Sequence, residues 1–217
     1  AAVADVEESA LEEPTRLRDV RRAAVVEELL ASGAHRVLDL GCGNGRLLRE
    51  LLQHGEFEEI VGVDVSSAAL ASASRRLKLQ EMAPKQRGRV RLLQGALTYR
   101  DRRLAGYDAA ALMEVIEHLD PERLETMERS VFGSAAPRTV IVTTPNVEYN
   151  ARFEGLAPAE LRHRDHRFEW TRDELGAWAE GVATRNGYEV RLRPVGEEDP
   201  ALGAPTQMAV FSKTGAE

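Results

Sequence analysis

The sequence predicts an α/β fold: a doubly wound, mostly parallel sheet that ends in an antiparallel edge pair. Three observations predict it. Short apolar runs alternate with helical stretches from HRVLDL onward, and in one domain that alternation calls for parallel strands with helices on both faces. A glycine-rich turn, DLGCGNG, follows the first run. The last two runs, YEVRLRPVG and QMAVFSKT, have no helix between them, as an antiparallel pair allows.

The acidic start AAVADVEESALEEP predicts a flexible arm over residues 1–14, with a single domain over 15–217. It has neither an initiator Met nor a signal pattern, so the chain is expected to be the C-terminal part of a longer protein. TRLRDVRRAAVVEELLASG repeats its apolar residues at helical spacing and stops at Gly33. HRVLDLGCGNGRLLRELL then reads as strand, turn and helix, and IVGVDVSSAALASASRRLKLQEM as strand and helix, with Ser66 as N-cap. RVRLLQGALT, YDAAALMEV and RTVIVTTPN are the next strands. Between the last two, DPERLETMERSVFG predicts a helix capped by Asp120 with Pro121 at its first position. After a long polar loop, Thr171 and Glu174 form a capping box that opens TRDELGAWAEGVATRNG.

With 217 residues and 43% hydrophobic content the chain can bury one good core. A formal net charge of −7 excludes a protein that coats nucleic acid with its whole surface, though not a local basic patch. Of the 29 basic residues 26 are Arg, which suits bidentate contact with phosphate but also follows from a biased genome. Cys42 is the sole cysteine, so no internal disulfide framework exists. No apolar run approaches the roughly 20 residues that span a bilayer, and a cytoplasmic protein without membrane contact is expected.

In a doubly wound sheet ligands bind beyond the carboxyl ends of the strands. Gly41, Gly43 and Gly45 let the backbone approach a ligand there, in a GxGxG spacing one residue short of the usual dinucleotide pattern. Asp64 closes the second strand about 20 residues on, where a carboxylate accepts both hydroxyls of an adenosine ribose. These features resemble the class I methyltransferases, whose cofactor is S-adenosylmethionine. The resemblance puts Asp39 near the cationic methionine end. It also makes Ala96 and Leu97, after the third strand, and Met113, at the end of the fourth, cofactor contacts. The acidic residue that many methyltransferases set against the adenine amine is missing after the third strand. Backbone groups or Thr98 must replace it, unless the segment is an ordinary loop.

The fourth strand delivers EVIEHLD. On a helical turn Glu114, Glu117 and His118 would share one face, since residues three and four apart are neighbours. A solvated acidic turn before a helix is the competing reading. The later loop LRHRDHRFEWTRDEL adds His163 and His166. Two carboxylates with one or two imidazoles suit Mn²⁺, Mg²⁺, Fe²⁺ or Zn²⁺, with no thiolates to select structural zinc.

EVIEHL, TPNVEYN and DHRFEWTRDEL, in this order and spacing, resemble the small-RNA 3′-terminal ribose 2′-O-methyltransferases of the HEN (Hua-enhancer) family, bacterial members included. The similarity runs from the first strand to the last helix. It implies transfer of a methyl group from S-adenosylmethionine to the 2′-hydroxyl at an RNA 3′ end, in RNA repair or end protection. It further implies a divalent metal, Mn²⁺ ahead of Mg²⁺, on Glu114, Glu117, His118 and His166. His163 then accepts the proton or touches the terminal phosphate, or is a solvated loop residue. Arg152, Arg162 and Arg167 make the loop locally basic and are expected to hold the last phosphates of a strand. Phe168 is a candidate to stack on the terminal base, while Trp170 and Trp178 are expected in the core. The resemblance implies, from the family's bacterial members, a polynucleotide kinase-phosphatase with ligase activity as partner, and this domain is expected to be monomeric. Two other readings are a small-molecule O-methyltransferase acting on a quinol-type acceptor and a non-catalytic RNA-binding module. The first has no need of the basic histidine loop, and the second has no reason to keep a cluster of like charges.

Overall fold

The strands are β1 (Arg36–Leu40), β2 (Glu59–Asp64), β3 (Val90–Gln94), β4 (Ala109–Met113), β5 (Thr139–Pro145), β6 (Tyr188–Val195) and β7 (Thr206–Lys213). Between them lie α1 (Arg16–Ala31), α2 (Arg46–Leu51), α3 (Ser67–Arg76), α4 (Pro84–Arg87), α5 (Pro121–Glu128) and α6 (Arg172–Asn186). The structure is a computed structural model that describes residues 16–153, 155–157 and 160–215. The arm expected over 1–14 lies outside them.

One sheet holds all seven strands in the order β3-β2-β1-β4-β5-β7-β6. The first five pair in parallel, and β7 runs antiparallel between β5 and β6. The predicted antiparallel pair is therefore present, and β6 rather than β7 forms the edge. The crossover through α6 returns the chain parallel to β5 but one position away, and β7 fills that slot.

Strand residues alternate between two apolar layers, as the period of two dictates. Leu38, Leu40, Ala110, Leu112, Val140 and Val142 join the layer that contains Met127, Phe132, Ala179 and Val182. Val37, Ala109, Ala111 and Ile141 join Val25, Leu29, Leu47 and Leu51 on the other side. Helices thus cover both faces, and the switch in strand order between β1 and β4 opens a crevice at their carboxyl ends. A cavity of about 1130 Å³ occupies it.

Helix ends follow their caps. Ser66 Oγ accepts from the Ala69 N–H at 3.2 Å, and Thr171 and Glu174 complete the capping box, with the Thr171 N–H donating to Glu174 Oε2 at 2.8 Å. Pro121 opens α5 as expected, but the Asp120 side chain makes no cap bond and pairs with Arg123 and Arg167 instead. The helix expected through Gly133 is also shorter than predicted. It stops at Glu128 and continues as a wider π-type turn over Arg129–Ala135. There Ser130 Oγ donates to the Tyr99 carbonyl, which ties the turn to the loop after β3. Trp170 and Trp178 pack on the core as expected, and so does Phe168. Among the described residues no helix is long and apolar enough to cross a membrane.

Candidate active site

The turn between β1 and α2 is shaped by one close approach. Gly41 sits at φ 84, and a Cβ there would lie 2.6 Å from Val115 Cγ2, so only glycine lets the turn nest against the segment after β4. Gly43 turns its N–H to Asp64 Oδ2 at 2.9 Å, while the Ser66 N–H donates to Asp64 Oδ1 at 2.8 Å. Two backbone donors thus fix the carboxylate at the end of β2. Asp39, Gly41, Gly43, Asp64, Ala96, Leu97 and Met113 all line the cavity, as does Thr98. Gly45 is not part of that wall. A Cβ on it would lie 2.9 Å from Ala73 Cβ, so this glycine lets α2 and α3 approach each other.

Asp39 is 2% exposed, and its Oδ2 has no hydrogen-bond partner among the described residues. Burial, then the charge of Asp64, pushes its carboxyl up to about 7. A buried acid with an unsatisfied oxygen on the cavity wall fits a cationic ligand group. Burial also pushes the Cys42 thiol up, away from thiolate chemistry.

EVIEHLD does not make the expected shared helical face. The 3-10 turn begins only at Ile116 and covers Ile116–His118, while Glu114 precedes it at φ 55, in the left-handed region. Its surroundings explain the conformation. The Glu114 N–H donates to the Thr143 carbonyl, Thr143 Oγ1 donates to Glu114 Oε1 at 2.8 Å, and Arg21 pairs with Oε2 at 3.1 Å. Arg21, buried on α1, also donates to Thr206 Oγ1 at the start of β7. Glu117 is fully buried and accepts from Thr144 Oγ1 at 3.1 Å.

The loop 160–170 is built of turns rather than helix, with the His166 N–H donating to the His163 carbonyl. It brings His163 and His166 to His118, and one candidate ligand atom from each lies within 4.8 Å of the others. Three imidazoles therefore form the tightest group, with Glu114 and Glu117 held by their own partners on β5. Glu114, His118 and His163 line the cavity, the same one that contains the Asp64 end.

Hydrogen bonds give the rings different roles. His118 Nδ1 faces the Asp165 carbonyl at 3.4 Å and His166 Nδ1 faces Glu169 Oε1 at 2.6 Å. An oxygen of either kind only accepts, so in both neutral rings Nδ1 carries the proton and Nε2 keeps its lone pair. His163 is opposite: its Nδ1 accepts the Asp165 N–H at 3.0 Å, which leaves Nε2 as a donor.

Arg162 is not on the surface. It is 3% exposed and donates to Asn150 Oδ1, the Pro205 carbonyl and the Asn146 carbonyl at 2.6–2.7 Å, with its guanidinium 4.7 Å from the Phe153 ring centroid. Its charge braces the histidine loop against the ends of β5 and β7, where a solvated phosphate contact was expected. Arg152 pairs with Asp199, and Arg167 lies 3.5 Å from Asp120; both are exposed. Arg18, Arg22, Arg46, Arg75, Arg76 and Arg123 also line the cavity. Sequence reasoning missed Arg21, Thr143 and Thr144, whose contacts come from distant elements and leave no local signal. Glu169, inside the DHRFEW stretch, was legible as part of a motif but not as a partner of His166.

A family model described as a methyltransferase domain matches residues 38–141. The mouse protein named small RNA 2′-O-methyltransferase is 38% identical over 187 residues, which cover 83% of this chain and 47% of its own. The chain thus spans about half the length of the curated relatives it matches. Among solved structures, the methyltransferase domain of bacterial CtHen1-CN superposes with a TM-score of 0.84 at 48% identity, covering 91% of this chain and 100% of that one. A chain in the Pnkp1/Rnl/Hen1 RNA repair complex superposes with a TM-score of 0.68 at 21% identity, covering 92% and 42%, a likeness of fold.

Proposed function

The chain belongs to the Hen1 methyltransferase family, and from that premise we propose that it moves a methyl group from S-adenosylmethionine to the 2′-hydroxyl of the 3′-terminal ribose of RNA, with a divalent metal ion, Mn²⁺ ahead of Mg²⁺. One observation carries the reading. A single cavity contains both Asp64, beside the glycine turn, and the Glu114, His118 and His163 group. Donor ribose and acceptor hydroxyl can then meet without either leaving the crevice.

On this reading Asp64 takes the ribose hydroxyls of the cofactor and Asp39 faces its cationic end, where burial makes a charge–charge contact strong. His118 and His166 offer Nε2 lone pairs, and Glu114 and Glu117 offer carboxylates, to a metal ion. The donor set of nitrogen and oxygen fits Mn²⁺ or Mg²⁺ and lacks the thiolates of structural zinc. Such an ion, when bound, supplies Lewis-acid stabilisation of an alkoxide, the difficulty an unactivated hydroxyl presents at neutral pH. His163, a donor at Nε2, suits a phosphate or hydroxyl oxygen better than a proton-accepting role. Exposed Arg152 and Arg167 remain candidates for the strand's phosphates.

The reading extends to RNA repair or end protection and to a kinase-phosphatase and ligase partner. It is supported by the family and by the fold shared with a chain of the Pnkp1/Rnl/Hen1 complex. We read residues 15–217 as one domain, monomeric and cytoplasmic.

The test is tritiated methyl transfer to a short RNA after chelation, with and without added Mn²⁺. Transfer should require the metal and should vanish in Glu117→Ala and His118→Ala while S-adenosylmethionine affinity stays within a few-fold. RNA ending in a 3′-phosphate, or in a 2′-deoxy or 3′-deoxy nucleotide, should be a poor acceptor. Full activity in chelator, or equal methylation of 3′-deoxy and ordinary ends, would reject the metal-held ribose.

A further inference from the structure

His166 is fixed by a carboxylate of its own loop. Its ring is buried, and Nδ1 lies 2.6 Å from Glu169 Oε1. Glu169 is itself 7% exposed and is gripped on both oxygens: the Arg162 N–H donates to Oε1 at 2.7 Å and Asn150 Nδ2 donates to Oε2 at 2.7 Å. Asn150 comes from the 3-10 segment after β5 and Glu169 from the end of the histidine loop. The carboxylate therefore cannot rotate away without breaking contacts to two segments.

We propose that Glu169, anchored by Asn150 and the Arg162 amide, is a positioning residue that locks His166 in its Nδ1–H form and so reserves Nε2 as a lone-pair donor to the active-site cation. The physical chain is short. Both Glu169 oxygens already accept N–H donors, so the side chain meets the ring as an acceptor and the proton on the shared edge belongs to the imidazole. The opposite ring nitrogen is then unprotonated and its direction is set by the Glu169 contact. Free imidazole exchanges between tautomers, and a ligand that spends part of its time in the wrong one binds with reduced affinity. Carboxylate–histidine pairs behind metal ligands act in this way elsewhere, and their loss costs about 10–100-fold in metal affinity. The neighbouring ring shows the alternative: His163, whose Nδ1 accepts the Asp165 N–H, is committed to the other tautomer only 5.4 Å away, centroid to centroid. Two loop histidines three residues apart are thus held in opposite forms by a carboxylate on one side and a backbone amide on the other.

The proposal rests on the metal-dependent reading above, and its test separates the two. The ¹⁵N imidazole spectrum of the full chain, with the His166 signals assigned by their loss in His166→Asn, reports the tautomer with no metal present. Mn²⁺ affinity by calorimetry and S-adenosylmethionine affinity are measured on the same samples. The wild-type chain should show His166 as Nδ1–H. Glu169→Ala should let the Nε2–H form appear and weaken Mn²⁺ by about 10–100-fold, with cofactor affinity unchanged within twofold. Glu169→Gln, whose oxygen still accepts from Nδ1–H, should keep the tautomer and recover a large part of the Mn²⁺ affinity. The proposal is overturned if His166 in the wild-type chain is Nε2–H, if Glu169→Ala leaves tautomer or Mn²⁺ affinity unchanged, or if both variants lose Mn²⁺ and cofactor binding together, the mark of a collapsed loop. A wild-type chain that shows the Nδ1–H form but binds no Mn²⁺ would sink the metal reading and, with it, the purpose assigned to Glu169.

Discussion

Asp39 and Asp64 were legible as a pair because one closes the first strand before the glycine turn and the other closes the second strand about 20 residues on. Their different environments were not legible, because burial is a property of the packed sheet. Asp39, pushed up to about 7, makes a signed prediction. Between about pH 4 and pH 7 the unfolded chain has released this proton and the folded chain still holds it, so stability falls as pH rises through that window. The full effect is about 4 kcal/mol at about 1.4 kcal/mol per pH unit. Urea unfolding of the ligand-free chain from pH 4 to pH 8 should show the decline, and Asp39→Asn should remove most of it. A cationic cofactor favours the ionised form, so S-adenosylmethionine should bind more tightly as pH rises through 7, and Asp39→Asn should flatten that trend. An identical pH profile in the variant would mean that Asp39 does not titrate there. At the second strand, Asp64→Ala removes a charged hydrogen-bonding partner of the ribose and should weaken cofactor binding by about 1.5–3 kcal/mol. Calorimetry showing unchanged affinity would move the ribose elsewhere.

Elements were read well where local chemistry sets them and poorly where a distant partner does. The capping box at Thr171 and the proline at the start of α5 are short-range signals, and both are found. The turn after β4 is different: a helical face through Glu114 looked natural by spacing, yet the side chains of Thr143 and Arg21 hold that residue at φ 55, in a conformation no neighbour in sequence demands. Arg162 makes the same point, since a basic loop reads as a solvated phosphate site until the acceptors around it are known. Thr171→Ala should cost about 1 kcal/mol of stability while leaving methyl transfer nearly intact, because the cap lies outside the cavity wall. Arg162→Met, by contrast, strips three donors from buried acceptors. Amide hydrogen exchange over residues 160–170 should speed up by an order of magnitude or more, and Mn²⁺ affinity should fall with it. Exchange rates equal to wild type would show that the loop is held through Glu169 and Asn150 without the Arg162 side chain.

For the molecule as a whole, a net charge of −7 coexists with arginines around one cavity, including Arg46, Arg75, Arg76 and Arg123. An acidic body with a basic mouth suits a strand that enters end first. If only one or two phosphates are gripped, the logarithm of RNA affinity should fall with the logarithm of salt with a slope of only about −1. Cofactor affinity should scarcely respond, and a slope several times steeper would mean that RNA lies across the surface. The sheet order was legible in class and not in detail, because nothing in QMAVFSKT announces that β7 will lodge between β5 and β6. That lodging has a consequence for how the protein is made. Arg21 in the first helix bonds to Thr206, 185 residues later, and Arg162 bonds to the Pro205 carbonyl next door. On a ribosome the nucleotide half of the crevice can fold early, but the side that faces the acceptor has no floor until β7 has emerged. A nascent chain stalled before Pro205 would expose the apolar side of β5 and leave Arg21 without Thr206. Such a fragment can bind cofactor only with an unfinished catalytic end, and the unpaired edge of β5 makes it a natural client for chaperones.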